Sequence, residues 1–205
     1  MADIFEFRGV DNLVYAEVTK DNNEIGETEG YVTGTVKTLS PVAEIGRTTE
    51  SSSETKYYDN KPMIVVNSTG SDEITITCAP LNLETLADIT GQTFDTTKGC
   101  MIEGERAVKY FALGYRTKGT DGKYRYVWRY KGTFGIPEET YATENDGTDT
   151  NNTELTFTGI STTHSFTNGG SAKALVVDTR YEGANVSTFF TTVTTPDTLT
   201  ASSGS

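Results

Sequence analysis

The segment SDEITITCAPLNLETLADITG, residues 71–91, passes from one hydrophobic period to another within twenty residues. Ile74, Ile76 and Cys78 alternate with Thr75, Thr77 and Ala79, the period of two expected of a half-buried strand. Pro80 stops that strand. Asn82 is placed to cap a helix, with Glu84 and Thr85 in its first turn. Leu83, Leu86, Ala87 and Ile89 then fall on one side, and Gly91 closes the C-terminal end. A lone amphipathic helix must bury its stripe against something, and every other periodic segment reads as strand. The partner is therefore a sheet. The expected fold is mainly β, a two-sheet sandwich or partial barrel, with one short flanking helix at about residues 82–90, long loops and a C-terminal arm.

Composition narrows the class. A chain of 205 residues is long enough for one all-β domain with a core of its own, so a second domain is unnecessary. Only 35% of residues are hydrophobic, which suits thin sheets and extensive exposed surface. The net charge of −12 disfavours adventitious binding to nucleic-acid phosphates, which draws its affinity from Lys and Arg. A surface along which DNA moves without sticking stays compatible with that charge. No apolar run is long enough to cross a bilayer, and MADIFEFRGVDN at the start carries acids where a secretory signal has bases. The expectation is a chain made in a cytoplasm. Cys78 and Cys100 are expected to be free thiols. The glycosylation-like triplets at Asn67, Asn151 and Asn185 match what chance gives in a chain rich in Asn, Ser and Thr.

Further strands are predicted over residues 13–19, 30–38 with 42–46, 63–67, 72–79, 101–103, 155–166 and 174–182. Between them, residues 47–61 (RTTESSSETKYYDNK) read as a long polar loop, and loops of that length are usually functional or disordered. Residues 138–153 (EETYATENDGTDTNNT) read as an acidic mobile loop. The most evident local signal is the hairpin of residues 108–133, turning at Asp121-Gly122. In its second arm Tyr124, Tyr126, Trp128 and Tyr130 share a core-like face, while Lys123, Arg125, Val127, Arg129 and Lys131 form a basic stripe on the other. Tracking a nucleic-acid backbone is one use for such a stripe. Because aromatics and cations point to opposite faces, ion pairing with an acidic neighbouring subunit is the favoured use, with Arg125, Arg129 and Lys131 as its residues. Residues 186–205 form an arm whose Phe189, Phe190 and Val193 call for a neighbour's surface. The remainder, residues 1–185, is the main β domain.

Catalytic patterns are missing from the sequence. His164 is the single histidine, in STTHSF, with no carboxylate nearby in sequence to orient it as a base. One His and two distant Cys make no usual zinc set. Asn145-Asp146-Gly147-Thr148-Asp149 lacks the closing glutamate of a calcium loop. Asn168-Gly169-Gly170 has neither a following helix nor a Lys to cradle phosphate. The expectation is a protein without enzymatic activity, metal or cofactor.

Several segments together resemble the major tail protein, or tail tube protein, of long non-contractile tailed bacteriophages and prophages. They are VYAEVTKD, the Ser/Thr-rich stretch leading to KYYDNKP, the block DEITITCAPLNLETLADITG, the hairpin FALGYRTKGTDGKYRYVWRYKGTF and the strand TELTFTGI. They span most of residues 1–182, while the C-terminal arm matches weakly. The resemblance implies hexameric rings whose subunits contribute strands to a continuous inner barrel, stacked into a tube for DNA ejection. It also implies a virion location, and as partners further copies of the chain and the tape-measure, tail-terminator and distal tail proteins. DNA would pass through the lumen without specific binding, and no membrane is involved. The family's loop between early strands reaches the adjacent ring, so its counterpart here is residues 47–61, with Arg47, Glu50, Glu54, Lys56, Tyr57, Tyr58 and Asp59. Acidic side chains lining the lumen would repel phosphate, although alternation alone does not say which ones. A secreted or surface carbohydrate-binding β-sandwich, a head decoration protein and a tail-completion protein stand as alternatives.

Overall fold

The computed structural model describes residues 4–23, 30–138 and 152–202, so nearly all of the acidic segment 138–153 lies outside the described residues. Within them the chain is mainly β with one helix. The strands are β1 (Phe7–Asp21), β2 (Tyr31–Thr33), β3 (Lys37–Thr38), β4 (Val42–Tyr58) and β5 (Lys61–Cys78). After helix α1 (Leu83–Thr90) come β6 (Thr93–Asp95), β7 (Cys100–Ile102), β8 (Tyr110–Gly119), β9 (Tyr124–Phe134), β10 (Thr153–Ile160) and β11 (Ala174–Asp178). The large sheet runs β2-β1-β8-β9-β10-β5-β4, with β3 on β1 and β11 on β9, while β6 and β7 form a second small sheet. Every pairing is antiparallel.

Alternation along the strands builds two cores on opposite faces of the large sheet. On one face Leu13, Tyr15, Phe111, Leu113 and Val127 from one wing meet Ile74, Ile76, Cys78, Leu155 and Phe157 from the other, giving a sandwich-like fold. The period of two that marks residues 74–78 in the sequence is thus the core face of β5. On the other face Ala16, Ala112, Trp128 and Tyr130 are covered by Phe166, Phe189 and Val193. A bulge in β9, where Phe111 pairs with Gly132 but Leu113 with Arg129, lets Phe134 join the first core although Trp128 and Tyr130 face the second. Gly132 is required there, because a Cβ would come within 2.4 Å of the Phe157 ring.

Helix α1 forms as its sequence predicts. The Asn82 side chain accepts the Thr85 N–H at 2.7 Å, and Gly91 ends the helix in the left-handed region at φ 69°. Leu86, Ala87 and Ile89 are buried, whereas Leu83, expected in the same stripe, is 48% exposed at the first helical position and is not part of the buried face. Asp88 anchors the helix to the sheet. Its carboxylate accepts from Tyr15 Oη at 3.0 Å, Lys37 Nζ at 2.7 Å and Lys109 Nζ at 2.9 Å. Burial disfavours ionisation of both groups: the Tyr15 phenol is held well above its usual range, while at Asp88 the bonds from the two lysines outweigh burial and lower the carboxyl.

The expected C-terminal arm is corrected. Phe189 and Val193 are buried on the chain's own sheet, and Phe190 lies 5.7 Å from the Trp128 ring and 5.5 Å from that of Tyr126. Trp128 Nε1 donates to the Phe189 carbonyl at 2.8 Å, and Tyr130 Oη to that of Thr194 at 3.0 Å. Without this segment the aromatic face of β9 would stand in water, so the partner of Phe189 and Val193 is intramolecular. Phe189→Ala is expected to cost about 3 kcal/mol of stability, read as a lower melting temperature in calorimetry. A change under about 0.5 kcal/mol would mean that the segment is not part of the core.

Candidate functional site: assembly surfaces

The segment predicted as a loop at residues 47–61 is instead the end of a long two-stranded ribbon. β4 and β5 pair continuously to Tyr58↔Lys61 and turn through Asp59 and Asn60, both at positive φ (49° and 60°) as a type I′ turn demands. A bulge between Thr49↔Asp72 and Ser51↔Thr69 marks where the ribbon leaves the sheet, with Ser71 Oγ donating to Glu50 there at 2.9 Å. Every residue from 51 to 70 is exposed. At about 3.3 Å per residue the ribbon projects roughly 25 Å.

Its side chains are not those of a solvated ribbon. Met63, Ile64, Val65 and Val66 are 66%, 51%, 58% and 49% exposed, and Tyr57 and Tyr58 are 66% and 54% exposed. By alternation Ile64 and Val66 point to one face and Val65 to the other, so neither face can be wet without exposing apolar surface. An isolated two-stranded hairpin is marginal in water, and here only continuity with the sheet holds it. Of the residues singled out in sequence, Arg47 and Glu50 sit at the ribbon's root, Glu54 and Lys56 pair along its length, and Tyr57, Tyr58 and Asp59 form its tip. No strand is hydrogen-bonded to the outer edge of β4 among the described residues.

A second surface lies at the base of the same strands, on the face of β4, β5 and β10 that looks away from the first core. Its cross-strand rungs are Glu44–Thr77–Glu154, Gly46–Thr75–Thr156 and Thr48–Glu73–Thr158. Three carboxylates and five threonine hydroxyls make up these rungs, and no cation interrupts them. Strand order was needed to find it, because the three glutamates come from three separate strands.

The basic stripe is corrected in its geometry. Arg125 pairs with Asp178 at 3.1 Å, Arg129 with Asp72 at 2.9 Å, and Lys131, beyond the bulge, with Asp21 at 2.6 Å. Each expected intersubunit cation therefore has a counter-ion in its own chain, and each partner lies more than fifty residues away in sequence. Asp72 also receives Thr49 Oγ1 at 2.9 Å and Lys173 Nζ at 3.2 Å. Burial pushes the Asp72 carboxyl up, but these hydrogen bonds and the Arg129 charge outweigh it and hold the group below the usual carboxylate range.

His164 is placed by its backbone. Its N–H and that of Thr163 donate to the Asp21 carboxylate at 2.8 Å and 2.9 Å, and its ring stands edge-on to Phe166. Among the described residues no group of three His, Cys, Asp or Glu could hold a metal ion, and both cysteines are free thiols, Cys78 buried. Among the described residues no helix is long and apolar enough to cross a membrane. No protein-family model matches the chain, and no curated protein matches it.

Proposed function

We propose that this protein is a self-assembling structural subunit of a phage-type tail tube, polymerising as stacked rings around a conduit for DNA. The observation that carries this reading is the ribbon of residues 51–70, which exposes Met63–Val66 on both faces and has nothing among the described residues to cover them. A surface of that kind needs a partner on each side, as a subunit wedged between neighbours has. The open edge of β4 adds a row of unpaired backbone groups, which strand addition from an adjacent copy would satisfy. Closing the sheet around a ring removes that edge.

The cation-free face of Glu44, Glu73 and Glu154 is the surface suited to the lumen, since carboxylates and hydroxyls give phosphate nothing to bind. Tail tape-measure, terminator and distal tail proteins are the partners that such a tube would meet at its core and ends, and the virion is its location.

Negative-stain microscopy of the purified protein tests the reading. Rings or stacked tubes of uniform diameter are expected on concentration, and a persistent monomer that binds glycans on an array would reject it in favour of a carbohydrate-binding sandwich. Isolated rings that never stack would point to a head decoration or tail-completion role. A second measurement addresses the lumen. Changing Glu44, Glu73 and Glu154 to Lys is expected to convert tubes that ignore double-stranded DNA into tubes that retain it at low salt and release it at high salt. Equal retention by both proteins at every salt concentration would place these rungs elsewhere.

A further inference from the structure

A groove of about 800 Å³ opens at the root of the ribbon, between the base of β4–β5 and the face of β8, β9 and β11. Its apolar part includes Phe7, Ile45, Val127 and Val176, of which Phe7 and Val176 are 45% and 50% exposed. Its polar part is unbalanced. Arg47, Arg129 and Lys173 all converge on the single carboxylate of Asp72, at 3.7, 2.9 and 3.2 Å. Three cations share one anion, and the Arg129 side chain, 91% buried, keeps an Nε that finds no acceptor among the described residues. In a chain of net charge −12 this is a local excess of positive charge with an apolar floor beside it.

The tip of the ribbon has the complementary character. Tyr57, Tyr58 and Met63 are exposed, and the apex carries Asp59, whose carboxylate has no counter-ion among the described residues; Lys61 lies one rung behind. A two-stranded ribbon with strands about 4.8 Å apart is narrow enough to lie in such a groove.

We propose that this groove is the docking site for the ribbon tip of a second copy of the chain, with Asp59 meeting the exposed Arg47 and the half-buried Lys173 and the tip's aromatic residues covering Phe7 and Val176. The contact rests on the self-assembly proposed above and names its receiving surface. Tip and groove sit at opposite ends of one ribbon, so the contact is head-to-tail. Each copy is displaced along the ribbon axis from the last, which produces an open stack rather than a closed dimer. The partner's carboxylate supplies the second anion that the three cations lack.

Cysteine pairing in the full chain tests this. Asp59→Cys and Ser171→Cys are made separately in a Cys100→Ser background, Ser171 being an exposed residue on the groove's rim. The two proteins are mixed under mild oxidation, and the 59–171 disulfide is counted by mass spectrometry. A yield at least about tenfold above that of Asp59→Cys mixed with Thr158→Cys, on the acidic face, supports the site, because a disulfide needs Cα atoms within about 7 Å. A yield no higher than that control overturns it. Independently, Arg47→Glu is expected to raise the concentration needed for assembly roughly tenfold, and adding Asp59→Lys to the same chain to restore it. Assembly indifferent to Arg47→Glu overturns the site as well. The two proposals fail separately: uniform tubes without the 59–171 link keep the tube and remove the groove, while the link in soluble oligomers that never form tubes keeps the groove and removes the tube.

Discussion

Replacing residues 51–70 with a two-residue Asn-Gly turn is expected to leave a chain that folds but no longer stacks. None of the twenty residues removed is buried, so the melting temperature should move by only a few degrees, equivalent to less than about 1 kcal/mol. Assembly should fall below detection, because the apolar surface that seeks a partner and the carboxylate at the apex both leave with the ribbon. A milder variant separates surface chemistry from length. Ile64→Asp with Val66→Asp keeps both strands but charges one face, and burying two unpaired carboxylates in an interface is costly enough to prevent docking. Sedimentation at increasing protein concentration reads both variants. Tubes of normal length from either one would remove the ribbon from assembly altogether.

Asp72→Asn is expected to destabilise the fold by about 3–5 kcal/mol, the range for breaking a buried ion pair by deleting one partner. The substitution leaves Arg129, only 7% exposed, and Lys173 facing a neutral amide. Denaturant melts measure it, and a loss under about 1 kcal/mol would contradict this anchoring role. The same residue predicts a pH dependence. At Asp21, Asp72, Asp88 and Asp178 burial works to raise the carboxyl, yet the hydrogen bonds and cations around each outweigh it, so all four are lowered in the folded chain. A lowered folded value means that the unfolded chain binds protons first. The stability these groups contribute is fully present above the unfolded Asp value of about 3.9, and is lost as pH falls through it toward the folded values. The melting temperature should therefore hold between pH 8 and 5 and drop below about pH 4.5, with a shallower drop in Asp72→Asn. A melting temperature independent of pH down to 3 would contradict the assignment of these four carboxylates.

Period and cap chemistry made some elements readable without coordinates. Ile74, Ile76 and Cys78 alternate because one face of β5 is dry, and Asn82 and Gly91 bracket α1 because helix ends need an acceptor and a left-handed residue. Tyr124–Tyr130 read as a core face for the same reason. The ribbon gave no such signal. Neither of its faces packs on the chain's own core, so Ser51–Ser53 and Met63–Val66 follow no alternation, and Asp59-Asn60 marks its turn less clearly than Asp121-Gly122 marks the other hairpin. The C-terminal segment misled for a related reason: Phe189 and Val193 announce that they need cover, and nothing local tells whose surface provides it.

The chain's own order of residues determined the mainly β class, the single helix, the aromatic hairpin and a charge that discourages DNA from sticking, since each follows from local periodicity, turn chemistry or a sum of charges. Tertiary structure alone decided that the basic stripe is neutralised by Asp21, Asp72 and Asp178, that Glu44, Glu73 and Glu154 share one cation-free face, and that groove and apolar tip lie at opposite ends of one ribbon. Those relations join residues dozens of positions apart, and distance in space between such residues is set by strand order and register, which no local pattern encodes.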